Sequence, residues 1–218
     1  MARLEAVQPG ETLARQALPR LRSAILEGRY APGEHLGEVP LSRQPGISRG
    51  PLREALQHLI REGLVERVPR RGVFVRSFDA RALRDLSGAR TAIEVQALRE
   101  AIAGAPDAAF APLRAQLDEV AAVLDAGGEY PITLDFHRGL VRASGNTVLL
   151  EFATQAEARL RLARAATRGD RAGARQSLAE HRAILTAMVE RDLDRAEPLL
   201  RQHIARSVER LSADPVLG

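Results

Sequence analysis

Cysteine and lysine are both missing from the 218 residues of this chain. Without cysteine there are no disulfides, no thiolate metal sites and no cysteine nucleophile, which fits a reducing compartment. No apolar run approaches the roughly 18 residues that a membrane span requires. Met1, Ala2, Arg3, Leu4 and Glu5 do not begin a signal peptide, so a cytoplasmic protein is expected. Every one of the 32 basic residues is arginine. Their distribution is uneven: through Arg76 there are 13 Arg against 8 acidic residues, and beyond it 19 against 20. A polyanionic partner is therefore expected for the first part only. The length allows one or two domains.

The stretch from Gly46 to Val75 organises the chain. Ser48 stands where a hydroxyl caps a helix beginning at Arg49, and Pro51 falls in the first turn, where its missing N–H costs no bond. Leu52, Ala55, Leu56 and Leu59 form the inward stripe. Arg49, Gly50, Arg53 and Gln57 are left on or beside the other face. Arginines at the start of a short helix are what a recognition helix presents to guanine O6 and N7 in a major groove. Gly63 ends the helix, Leu64, Glu66 and Val68 alternate, and Val73 to Val75 resume after Pro69, Arg70, Arg71 and Gly72. The hairpin tip, Arg70-Arg71-Gly72, is either a solvated turn or a contact to phosphates and the minor groove. Upstream, Leu13, Ala17, Leu18, Leu21 and Ile25 predict a helix that Gly28 stops, Pro32-Gly33 predicts a turn, and a short helix over 39–44 leads into the turn at Pro45-Gly46.

From Asp79, a predicted N-cap, only helical periodicity remains. Six helices are expected at about 80–103, 107–126, 131–144, 147–168, 171–190 and 193–212. The fold class is thus mainly α: an N-terminal winged helix-turn-helix over residues 1–76, then a C-terminal antiparallel six-helix bundle over 77–218. Within the bundle His137, His181 and His203 all share an apolar face, from three different helices. Three imidazoles converging on one core are hard to satisfy with one another and are favoured zinc or nickel ligands. Arg90 is also inward, either paired with Glu94 four residues on or free to clamp a ligand carboxylate. His35 and His58 read as a loop and a surface residue. A metal-dependent enzyme with a zinc-bound water on the three histidines is the rival reading. It lacks an evident carboxylate base on the inward stripes.

The run from PGEHL through SRGPLREALQHLIREGLVERVPRRGVFV resembles the DNA-binding half of GntR-type transcriptional regulators. ARTAIEVQALREA, FHRGLVRASGN and EHRAILTAMVERDLDRAEPLLRQHI resemble the FCD effector domain of their FadR-type branch. The resemblance covers about residues 12 to 212. It implies a ligand-responsive, non-enzymatic regulator, expected to be a repressor, that binds a palindromic operator in double-stranded DNA as a homodimer. It also implies a helical domain holding a small organic acid beside a divalent metal, zinc or nickel. Carried onto this chain residue by residue, Arg49, Arg53 and Gly72 match DNA-contact positions, and with the helix and hairpin-tip residues read above the DNA-binding set is Ser48, Arg49, Gly50, Arg53, Arg70, Arg71 and Gly72. The metal ligands are His137, His181 and His203, and the effector set is Arg90, Thr133 and Asn146. Thr133 replaces an aspartate that is often the fourth ligand, and Asp135, about 200° from His137 on a helix, is expected to face away. Pro45 replaces a usual leucine, and Pro198 falls ahead of His203.

Overall fold

Apolar residues three to four apart place Ala17, Leu21 and Ile25 on one buried face of α1 (Leu13–Leu26). The computed structural model describes residues 13–42, 49–131, 135–165 and 171–212, and the chain divides into two units, Met1–Ser77 and Phe78–Gly218. In the first unit α1 packs on α3 (Arg49–Glu62), with the short α2 (Glu38–Ser42) against α3 as well. Leu52, Ala55, Leu56 and Leu59 are the buried stripe of α3, each leucine contributing about 1.5–3 kcal/mol by leaving water. Ser48, Pro45 and Gly46 lie outside the described residues, so the expected cap and turn do too. Gly63, at φ 72°, closes α3. That left-handed residue lets the Leu64 N–H reach back to the Leu59 carbonyl at 3.0 Å, a bond that satisfies an end carbonyl of the helix.

β1 (Val65–Val68) and β2 (Gly72–Val75) form the antiparallel hairpin, with Val65 opposite Val75 and Val68 opposite Gly72. The inward residue of β1 is Val65, buried with Val73 and Val75, whereas Glu66 is exposed. The buried run is therefore Leu64-Val65 rather than a simple alternation from Leu64. Residues 33–36, expected as a turn and loop, run along the other edge of β2. The Gly33 N–H donates to Val75 O (2.9 Å), the Val75 N–H to Glu34 O (2.9 Å) and the Leu36 N–H to Val73 O (2.8 Å). An otherwise bare strand edge is covered in this way.

In the second unit α4 (Ala80–Gly104) begins at Asp79, whose carboxylate accepts the Ala82 N–H at 2.7 Å. A 3₁₀ turn at Asp107–Phe110 precedes α5 (Ala111–Asp125), and α6 (Phe136–Ala143), α7 (Thr147–Ala165), α8 (Arg171–Val189) and α9 (Leu193–Ser212) follow. The expected single helix over 107–126 is split because Pro112 lacks the N–H that an interior position would use, so the α-helix restarts with proline in its first turn. The helix expected from 131 starts at Phe136. α9 runs through Pro198 without a break. α4 packs against α6, α7, α8 and α9, and its opposite face, with Arg81, Arg84, Asp85, Gln96 and Arg99, is exposed. Leu98, Leu113, Leu117, Phe136, Leu140, Ile184, Met188 and Leu200 fill the core. Among the described residues no helix is long and apolar enough to cross a membrane.

Candidate functional site

Two groups of polar side chains stand out, one in each unit. Arg49, Gly50, Arg53 and Gln57 form the exposed face of α3, and Arg70 and Arg71 are exposed at the hairpin tip. Arg70 itself occupies the left-handed region at φ 62°. The Arg71 guanidinium lies 5.4 Å from the Phe74 ring centroid, and His35 packs on the same ring, with centroids 4.9 Å apart. Gly72, at φ 112°, lies so close to His35 that a Cβ there would stand 2.5 Å from its Nε2. The positive φ favours glycine at the tip, and a side chain there would also have to displace the exposed His35 ring. His58 is exposed on α3.

The bundle gathers His137 from the first turn of α6, His181 from α8 and His203 from α9, all buried. Their three Nε2 atoms lie 3.1 Å apart in every pair. Behind them, His137 Nδ1 is 2.8 Å from Glu94 Oε2, His203 Nδ1 is 2.6 Å from Glu180 Oε2, and His181 Nδ1 is 3.3 Å from the Tyr130 hydroxyl. A carboxylate can only accept, so His137 and His203 carry their proton on Nδ1 and aim the Nε2 lone pair inward. Only His181 has a partner that lets its proton turn inward, and that one N–H faces two lone pairs. Burial keeps all three imidazoles below the ordinary histidine range, so protonation does not relieve the crowding. The donor set fits a cation: His137, His181 and His203 would each offer an Nε2 lone pair to a divalent ion such as zinc, for which imidazole nitrogen is a favoured ligand. The Glu94 and Glu180 carboxylates are the outer partners that fix such ligands. These three histidines can hold a metal.

Beside His137 lies a small cavity lined by the side chains of Arg90, Glu94, Asp135, Glu157 and Arg164. Arg90 makes the intrahelical pair, its Nε donating to Glu94 Oε1 at 2.5 Å, and still lines this cavity. The two readings of Arg90 are therefore compatible. Asp135 corrects the helical-wheel expectation. It sits at the N-cap of α6, outside the helix at φ −119° and ψ 101°, accepting from the His137 and Arg138 N–H groups. From there its half-buried side chain lines the cavity that His137 lines. Asp135 and Glu157 interact through a side-chain hydrogen bond, and their acidities are driven apart. Burial, then Asp135 itself, pushes Glu157 up to about 8. Burial alone would raise Asp135, but the Glu157 hydrogen bond and nearby cations outweigh it and hold Asp135 below the usual carboxylate range. Burial, then the charge of Arg90, brings the Arg164 guanidinium down to about 10, so it stays cationic at neutral pH.

Thr133 lies outside the described residues. Asn146 is placed elsewhere than the cavity: its side-chain oxygen accepts the Leu149 N–H at 3.1 Å and its amide donates to Glu100 at 3.0 Å, which caps α7. The absence of an inward carboxylate, expected from the stripes, does not hold, since Glu94, Asp135, Glu157 and Glu180 all reach this region. Arg164 could have been found by the argument that found Arg90, because it follows the buried Leu160 by four residues. Glu180 could not. It precedes His181 by one residue and reaches His203 only across the α8–α9 packing.

A winged helix-turn-helix followed by an all-helical unit with a buried polar site is the architecture of a two-part regulator. Two family models match the chain: bacterial regulatory proteins of the gntR family over residues 13–75 and the FCD domain over residues 85–206. The chain belongs to the GntR family, in its FCD-containing branch, and is a transcriptional regulator rather than an enzyme. It is 32% identical to the Nta operon transcriptional regulator of Aminobacter aminovorans over 184 residues, 84% of this chain and 86% of that one. It is 27% identical to the galactonate operon transcriptional repressor of Escherichia coli, covering 88% and 93% of the two chains. The crystal structure of a GntR regulator from Rhodococcus sp. RHA1 superposes with a TM-score of 0.76 at 25% identity, covering 91% of this chain and 96% of that one.

Proposed function

We propose that this regulator is a repressor that binds a palindromic DNA operator as a two-fold dimer in the cytoplasm and responds to a small organic acid in its helical unit. Arg49, Gly50 and Arg53 at the start of α3 face the major groove, and Arg70, Arg71 and Gly72 at the wing tip face phosphates or the minor groove. One short helix reads only a few base pairs, which is why two half-sites are needed. His137, His181 and His203 hold a divalent metal, zinc or nickel, and the bound ion supplies a Lewis-acidic anchor for a carboxylate. The observation that carries this reading is the cavity, where Arg90 and Arg164 stand beside His137. Buried guanidiniums can clamp an acid bidentately. Glu94 and Glu180 keep the imidazole lone pairs aimed at the centre.

Ligand binding shifts operator affinity only by its differential affinity for the two states of the protein, and the coupling is reciprocal. The test is operator binding by fluorescence anisotropy with a panel of organic acids, with and without added zinc. One acid should weaken the complex, and footprinting should show protection of a palindrome. A monomer protecting a single asymmetric half-site, or an operator affinity that no acid changes, would overturn the reading.

A further inference from the structure

Arg53 is the one recognition-helix arginine held by a carboxylate among the described residues: its Nε donates to Glu38 Oε2 at 2.7 Å. Glu38 opens α2 and its side chain is 32% exposed, against 67% for Arg53. A second cross-helix pair in the same unit shows the contrast. Arg22 donates to Glu62 through both Nε and Nη2, which uses up one whole edge of the guanidinium. At Arg53 the carboxylate takes Nε alone, and among the described residues Nη1 and Nη2 have no partner. An ion pair this exposed adds little to stability, so folding gives no strong reason for it.

We infer that Glu38 is a specificity-determining positioning residue, which holds the Arg53 guanidinium so that its two terminal nitrogens meet guanine O6 and N7 together. This rests on the reading above that Arg53 faces a base edge. Two opposed consequences follow from the chemistry of a carboxylate at this position. Fixing Nε removes freedom that a flexible arginine would lose on binding, and so favours the one base whose acceptors match. The same negative charge near the phosphates weakens binding to every sequence. Glu38 thus lowers affinity for DNA in general and raises discrimination at one base pair.

The experiment uses the full chain and the duplex it selects from a randomised pool, with binding measured to that duplex and to each single base-pair variant. Arg53→Ala should abolish discrimination at one guanine. Glu38→Ala should lower discrimination at that same guanine on the order of tenfold, while tightening binding to unrelated duplexes. Glu38→Gln, which keeps an acceptor oxygen but no charge, should tighten unrelated binding and retain most of the discrimination. With Arg53→Lys as background, where no Nε edge exists, Glu38→Gln should leave discrimination unchanged. If Arg53→Ala loses the guanine preference but Glu38→Ala tightens all duplexes equally with the preference intact, Glu38 acts only as a charge and the inference fails. If Arg53→Ala keeps every preference, the base-edge reading of Arg53 fails and the inference falls with it. Thermal melting of each variant separates these outcomes from misfolding.

Discussion

The two units use the same guanidinium chemistry in opposite surroundings. Arg49, Arg53, Arg70 and Arg71 are exposed, whereas Arg90 is 6% exposed and stands among Glu94, Asp135 and His137. A surface arginine is hydrated when alone and can exchange water for a phosphate or a base edge. A buried one without a partner would be too costly to keep charged, so α4 supplies Glu94 in the next turn. A built-in partner is therefore obligatory for a buried arginine and optional for an exposed one, as Arg53 with Glu38 shows.

The largest expected effect falls on the buried side of this contrast. In a titration of zinc or nickel by calorimetry, His181→Ala should lose binding by more than 100-fold, and Glu180→Gln by about 10–100-fold through loss of the outer partner of His203. Added zinc should raise the melting temperature of the wild type by mass action and not that of His181→Ala. Equal and negligible metal binding in wild type and His181→Ala would leave the three imidazoles as a metal-free polar cluster.

The exposed side should respond through DNA rather than through stability. Arg49→Ala should lose about 1–3 kcal/mol of specific operator binding if it removes a bidentate guanine contact. Arg70→Ala should instead weaken all duplexes alike and reduce the slope of log K against log salt by about 1. Anisotropy titrations at several salt concentrations distinguish the two, and the contrast breaks if both variants lose affinity in the same sequence-independent way.

Gly72→Ala lies between these classes. A residue with a side chain at φ 112°, and a Cβ pressed toward His35, should cost about 1–3 kcal/mol of local strain. The wing should loosen and non-specific DNA affinity should fall, while metal binding stays as in the wild type. Hydrogen exchange of the residue 65–75 amides with parallel calorimetry would check both halves.

The smallest effect is a slope with pH. The folded-state pKa of Glu157 is raised to about 8, so between the ordinary glutamate value of about 4.3 and about 8 the folded chain keeps a proton that the unfolded chain has lost. Its contribution is full below about 4.3 and is lost as pH rises through about 8. Glu157→Gln keeps a donor toward Asp135 and removes this titration. Relative to the variant, the wild type should lose stability in urea denaturation between about pH 5 and pH 9. Parallel curves for the two proteins would show that Glu157 is not raised in this way.

Much of this molecule was legible along the chain because helical periodicity is a local property. Leu52, Ala55, Leu56 and Leu59 are a buried stripe by spacing alone, and His137, His181 and His203 each share their helix's apolar face for the same reason. Caps and breakers are local as well, as at Asp79 and Gly63. What the sequence could not supply is where those faces meet. That three Nε2 atoms converge within 3.1 Å of one another depends on how α6, α8 and α9 pack, and so does the reach of Glu180 to His203. The edge formed by residues 33–36 has no periodicity to betray it, since its partner β2 lies some forty residues on. Asp135 departs from the helical-wheel expectation because a wheel assumes a helix already in place. Its carboxylate instead caps the first turn of α6 and so stays outside that helix, in the wall of the cavity beside His137. Local spacing decides which face a side chain takes, and only the packing of distant segments decides what that face encounters.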